Sequence, residues 1–161
     1  MNTEIKKISK LLRHSYNGTP WYGTPLKEIL EGITPAQASV RVNNSHNCCE
    51  LAIHLTNWRK FAIEKLQQNR NYTITLNSEQ DWQKIDKADE AFWAKTLEEL
   101  EASQNHLLNI LDNQQDDLLE QTVQGANHHY NFFTLLHGII QHDIYHAGQI
   151  NLLKNATSIQ L

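Results

Sequence analysis

The chain has 161 residues, 40% of them hydrophobic and 20% charged, with a formal net charge of −4. That length can bury a core without disulfide staples and is expected to form a single domain over residues 1–161. An acidic balance with no lysine or arginine cluster argues against a nucleic-acid surface, because neutralising phosphates takes a basic face.

The N-terminal stretch MNTEIKKISKLLRHSYNG has no apolar run of signal-peptide length and no small-residue cleavage site. Its Ile5, Ile8, Leu11 and Leu12 have helical spacing, and Gly18 is the stop signal. GTPWYGTP follows, two Gly-Thr-Pro triplets around Trp21 and Tyr22, which is loop chemistry. Thr24-Pro25 opens a short helix through LKEIL, with threonine as cap and proline in the first turn. Thr34-Pro35 starts another, where Gln37 completes a capping box.

Asn44 and Ser45 are the expected caps of a second long helix reaching about Arg70. It carries the two cysteines, Cys48 and Cys49. Adjacent residues on a helix diverge by about 100°, so the pair forms no disulfide framework, and a reducing, cytoplasmic location is expected. NYTITL alternates and reads as extended, but one such segment makes no sheet. Ser78 is expected to cap a third long helix with the stripe Trp82, Ile85, Phe92, Thr96, Leu100, Leu107 and Leu111. The polar stretch from Asn113 to His129, broken by Gly125, reads as a connection with at most a fragment of helix. A fourth long helix is predicted from about Asn131 to Asn155. No segment approaches the ~20 apolar residues that span a bilayer. The expected fold is all-α, a four-helix bundle with long connections after helices 1 and 3.

The last helix holds two histidines within its apolar stripe. With His142 at 0°, His146 falls at about 40°, Leu135 and Leu153 near 20°, and Ile139 near 60°. On the second helix, with His54 at 0°, Trp58 sits near 40° and Leu51 near 60°, which turns His54 inward as well. A lone buried histidine is more often a core residue bonded to a carbonyl than a ligand. Three inward imidazoles are different, because each left unpartnered costs about 1–3 kcal/mol and one divalent cation would satisfy all three. Bundles build metal sites in this way, from inward side chains on facing helices.

HNCCELAIHLTNWRKF resembles the second-helix motif of the DinB-like superfamily, often His-Ser-Ile-Trp-Glu-Leu followed by a histidine and a Trp-Arg. GIIQHDIYHAGQINLLK is similar to that family's last-helix signature, His-x-x-x-His-x-Gly-Gln-Ile. GTPWYGTPLKEILEGITPAQA resembles the segment between the family's first two helices. The resemblance covers essentially the full chain and implies a DinB/YfiT-like bundle, commonly a homodimer. It also implies a divalent metal on three histidines, here His54, His142 and His146. Members are linked to bacillithiol S-transfer, and more distant ones to mycothiol-dependent isomerisation. The chain departs from the motif at Asn47, Cys48 and Cys49, where the family shows Ser, Ile and Trp.

Three imidazoles leave a zinc- or nickel-like ion with an open position, the pattern of catalytic sites. The expected chemistry is activation of a low-molecular-weight thiol or of water against a small-molecule electrophile, as in a transferase or hydrolase. Glu50, one turn before His54, is a candidate to orient it or accept a proton, or else a carboxylate favouring the helix dipole. Asp143, at about 100°, is a candidate to hold another polar group or a dimer contact. Gln149 is a candidate ligand contact or a structural cap. Trp21, Tyr22 and Trp58 are candidates to wall a substrate pocket, against the alternative that they are core. His46 projects too far round for a first-choice ligand, His128 and His129 read as a solvated loop, and His14, His106 and His137 have no partner pattern. Cys49 has nothing basic placed to lower its pKa. Two other functions remain open. HDIYH resembles the HExxH of zinc peptidases, with aspartate in the base position. The bundle could equally be a non-catalytic, metal-stabilised dimer that binds a partner or small molecule.

Overall fold

The computed structural model describes residues 2–126 and 129–158. Its helices are α1 (Thr3–Asn17), α2 (Leu26–Glu31), α3 (Pro35–Ser39), α4 (Cys48–Leu66), α5 (Glu90–Leu111) and α6 (Phe132–Ser158), with a 3-10 turn at Asp116–Glu120. No strand forms among the described residues; a single bridge joins Thr122 to Asn131. The fold is all-α. Among the four long helices, α1 packs on α5 and α6, and α4 packs on the same two. No helix is long and apolar enough to cross a membrane among the described residues.

Capping chemistry explains where the helices begin. Thr34 and Gln37 form the expected reciprocal box at α3. At α2 the cap position is Pro25, with no side-chain cap, so Thr24 does not take that role. The cap of α4 is Asn47, which forms a box with Glu50. The expected caps fall short because Asn44 follows Asn43 in the left-handed region, at φ 57 and 50, and the Ser45 amide closes that turn by donating to the Val42 carbonyl. Asparagine tolerates that conformation better than most residues. The α1 amides of Thr3 and Ile5 are satisfied from a distance, donating to the Asp116 carboxylate at 2.8 and 3.0 Å. Leu11, placed by spacing in the α1 stripe, is 48% exposed; Ile5, Ile8 and Leu12 form the buried face.

The largest departure from the sequence reading lies between α4 and α5. Ser78 supports only one turn, accepting from Asp81 N at its hydroxyl and from Trp82 N at its carbonyl. The backbone at Ile85 is then captured by the start of α4: Asn47 donates to its carbonyl at 2.7 Å, and its amide donates to Glu50 at 2.7 Å. With those groups satisfied elsewhere, the helix starts only at Glu90, capped by Asp89. The second connection is therefore long too. Trp82 and Ile85 lie in it, and Trp93 is buried where Phe92 was expected, with Phe92 37% exposed.

The core is layered along the helices. One apolar cluster joins Ile8 and Leu12 of α1, Phe61 of α4, Leu107 of α5 and Ile139 of α6. A second joins α2 and α3 to Leu55, Leu100 and Ile150. Between them lies a polar stratum: His54 and Arg59 on α4, Asp143 and His146 on α6, and Gln104 on α5, all buried. Arg59 donates to Asp143 at 2.7 Å, with side chains 0% and 1% exposed. The guanidinium also lies over the Tyr16 ring, 5.0 Å from its centroid. Burial pushes the Asp143 carboxyl up and the Arg59 charge draws it back.

Removing one partner strands the other charge in the core. Arg59→Met is expected to lower unfolding free energy by about 3–5 kcal/mol. Adding Asp143→Leu should recover much of that loss, as read by urea denaturation of both variants.

Candidate metal centre

His54, at mid-length on α4, and His142 and His146, one turn apart on α6, meet in the polar stratum. Their ligand atoms all lie within 4.8 Å of one another. His142 Nε2 is 2.9 Å from His54 Nε2 and 3.0 Å from His146 Nε2. The opposite nitrogens fix the tautomers. His54 Nδ1 donates to the Asp81 carbonyl at 2.8 Å and lies 3.1 Å from its carboxylate. His146 Nδ1 donates to Gln149 Oε1 at 2.6 Å. Protons on those nitrogens leave Nε2 of both rings as lone pairs aimed at His142. The single proton His142 Nε2 could carry would serve only one of them. A cation at the common point satisfies all three, so the cluster fits a metal site.

Asp81 was not anticipated by sequence reasoning, and it organises the wall of the site. Its carboxylate accepts from Trp58 Nε1 at 2.9 Å and from the Asn77 amide at 2.8 Å, and it is 2% exposed. A carboxylate behind a ligating histidine orients the ring and raises its basicity. The neighbouring Trp82 is stacked between His54 and His46, with ring centroids 3.7 Å apart on each side and interplanar angles of 5° and 9°. Both residues sit in an irregular connection, where no periodicity marks an inward face.

Two cavities open on either side of Trp82. The first, about 500 Å³, includes His54, His142, Trp58 and Trp82 in its lining. The second, about 530 Å³, is lined by His46, Trp82, Tyr145, His146 and Gln149 among others.

The remaining candidates sort clearly. Gln149 touches His146 directly, and Trp58 lines the first cavity. Trp21 is fully exposed and Tyr22 is 43% exposed, with the Tyr22 hydroxyl donating to the Ser15 carbonyl. Neither lines a cavity beside the histidines, because their loop follows α1 rather than the α4–α6 seam. Glu50 does not reach His54. Its side chain leans back toward the start of α4, as helical side chains do, where it binds Arg41, His46 and the amides of Asn47 and Ile85. Burial alone would raise the Glu50 carboxyl, but those donors outweigh it and hold it below the usual range.

Asp143 is committed to Arg59 inside the chain, which removes it as a dimer contact and as the general base of a peptidase-like motif. Cys48 and Cys49 are fully buried, and burial raises their thiols to about 12 and about 11. His129 is exposed, and His128 lies outside the described residues.

Burial lowers the pKa of His54 and takes His142 to about 3 and His146 to about 4, with neighbouring imidazoles adding to each. All three are therefore neutral, with lone pairs available, at neutral pH. Because the folded values lie below the unfolded one, this stabilisation is complete above the ordinary histidine value of 6.5 and is lost as pH falls from there through the folded values. Metal-free protein should lose stability from about pH 6.5 down to about pH 4, by up to about 1.4 kcal/mol per pH unit for each imidazole. His142→Phe, which keeps a ring and removes the proton acceptor, should flatten that slope in urea melts across the window.

A family model described as the DinB superfamily matches residues 25–150. That span is well over half of the chain and contains His54, His142, His146, Asp81 and Gln149. Among curated proteins and solved structures, none matches. The matched span leaves out α1 and the Trp21-Tyr22 loop and takes in every residue that touches the three imidazoles; the chain belongs to the DinB superfamily.

Proposed function

We propose that the chain is a metal-dependent enzyme in which His54, His142 and His146 hold one divalent ion, zinc or nickel. At that centre a low-molecular-weight thiol, or water, is activated for attack on a small electrophile, as in a thiol S-transferase or hydrolase. The observation that supports this best is the lone-pair count: three buried neutral imidazoles converge, two with their outer nitrogens already committed to Asp81 and Gln149.

Imidazole suits zinc and nickel alike. A purely structural ion calls for a fourth protein donor, and among the described residues the cluster contains only the three histidines. An ion bound there would supply Lewis acidity, which makes a thiol or water nucleophilic at neutral pH.

The chain's own residues do the rest. Asp81 and Gln149 hold two rings in the tautomer that presents Nε2 inward. Placement on two packed helices fixes the donors before a ligand arrives. The cavities beside Trp82 bring reactants to the centre from either side, and their apolar walls limit access of bulk water. Glu50 and Asp143 are both bound elsewhere, so a thiol proton leaves to solvent or buffer rather than to either of them.

Elemental analysis of protein purified without an affinity tag should find about one divalent ion per chain. His54→Ala and His146→Ala should each lose it, and full occupancy in either variant would remove that residue from the site. Asp81→Asn should weaken metal binding about 10–100-fold while the helical content stays intact. Thiol consumption with chlorodinitrobenzene as reporter should vanish on chelation and return when metal is restored.

A further inference from the structure

The two cavities beside the triad differ in chemistry, and the first carries an inference about substrate class. Its volume, about 500 Å³, lies within the range of small-molecule sites. Among the described residues no lysine, arginine or glutamate lines it. Its one acid, Asp81, has both carboxylate oxygens engaged by Trp58, His54 and Asn77. Trp82 has both ring faces covered by His46 and His54, so it offers only an edge. Leu135 and Ile139 of α6 supply aliphatic wall, and Leu76 stands at the rim, 68% exposed. Apart from an ion held by the histidines, a charged ligand entering here would lose hydration and find no opposite charge.

A second, independent observation concerns Gly138. It sits inside α6, where glycine weakens a helix relative to alanine. It lines this cavity, and a Cβ built on it meets no atom within 4 Å. Neither a left-handed backbone nor close packing accounts for glycine here; what its missing side chain preserves is open cavity next to His142, one turn further on.

We propose that this cavity is the binding site for an uncharged, largely apolar small molecule, and that Gly138 keeps the space for it. The ligand lies against Ile139 and Trp58 with its reactive end toward His54 and His142. This deepens the proposed function and rests on it only for calling the ligand a substrate; the binding itself needs no metal.

The test uses two fluorescent probes that differ by one charge: N-phenylnaphthylamine, which is neutral, and its sulfonated analogue anilinonaphthalene sulfonate. The neutral probe should bind saturably to the full chain freed of metal by chelation, and the sulfonate about tenfold or more weaker. Gly138→Leu should reduce neutral-probe affinity about tenfold or more. Gly148→Leu, in the same helix at an exposed position with equally open space, should leave it unchanged. Leu76→Lys, at an exposed rim position, should shift the preference toward the sulfonate. If Gly138→Leu does not fold, as judged by circular dichroism, Gly138→Ala and Leu76→Lys carry the test.

Equal affinity for the two probes would overturn the proposal. So would neutral binding indifferent to substitution at both Gly138 and Leu76. Measuring the metal content of the same preparation before chelation separates the two readings. Wild-type protein that takes up no metal, with probe binding as expected, sinks the metal enzyme and leaves the cavity assignment standing. Metal bound with no selective probe binding does the reverse.

Discussion

Burying Arg59 against Asp143 commits α4 and α6 to one register. Each charge is intolerable in the core without the other, so the helices cannot slide or rotate by a residue without stranding both. The triad depends on that commitment. His54 lies five positions before Arg59, and His142 directly precedes Asp143, so the ion pair and the histidine cluster are fastened to the same short stretches of the same two helices. A buried pair of this kind adds little net stability compared with apolar packing. Its contribution here is geometric: it sets where the imidazoles meet.

The second requirement is the connection between α4 and α5. Helices bring three rings together, but the irregular segment from 67 to 89 supplies Asp81 behind His54 and Trp82 against its face. That segment has no ladder of its own to hold it. Its backbone is tied to the start of α4 through Asn47 and Glu50 at Ile85, and its acid is tied to Trp58. The capping box of α4 thus has two duties, closing the helix end and anchoring the loop that finishes the site. Glu50 influences the centre through His46 and the Trp82 stack, at one remove, without touching a ligand.

The contrast between these parts explains what could be read from the chain. His54, His142 and His146 were legible because helical periodicity converts spacing into direction, and α4 and α6 are regular across all three. Gln149 follows from the same arithmetic, three residues beyond His146. Asp81 was not legible, because an irregular segment has no period from which to infer a facing side. Ser78, Trp82 and Ile85 imitate the opening of an amphipathic helix, and local pattern favoured that reading. Long-range bonds from Asn47 and Glu50 overrode it, and no local signal reports such bonds. Trp21 and Tyr22 misled for a related reason: aromatic residues near glycine and proline suggest a pocket rim, yet their position was set by where α1 ends.

A core built only for stability would not look like this one. Leucines at the three histidine positions would join the apolar clusters above and below, and the polar stratum would close. Instead the chain keeps three rings neutral by burial and orients two of them with dedicated acceptors. It also leaves a helix-interior glycine facing open space beside the third. Each feature breaks a local rule, and the violations are not scattered. They converge on one point between two cavities, where ligand atoms, orienting groups and reserved volume meet. Independent departures from good packing that share a location are the mark of a functional site rather than of a core imperfectly filled.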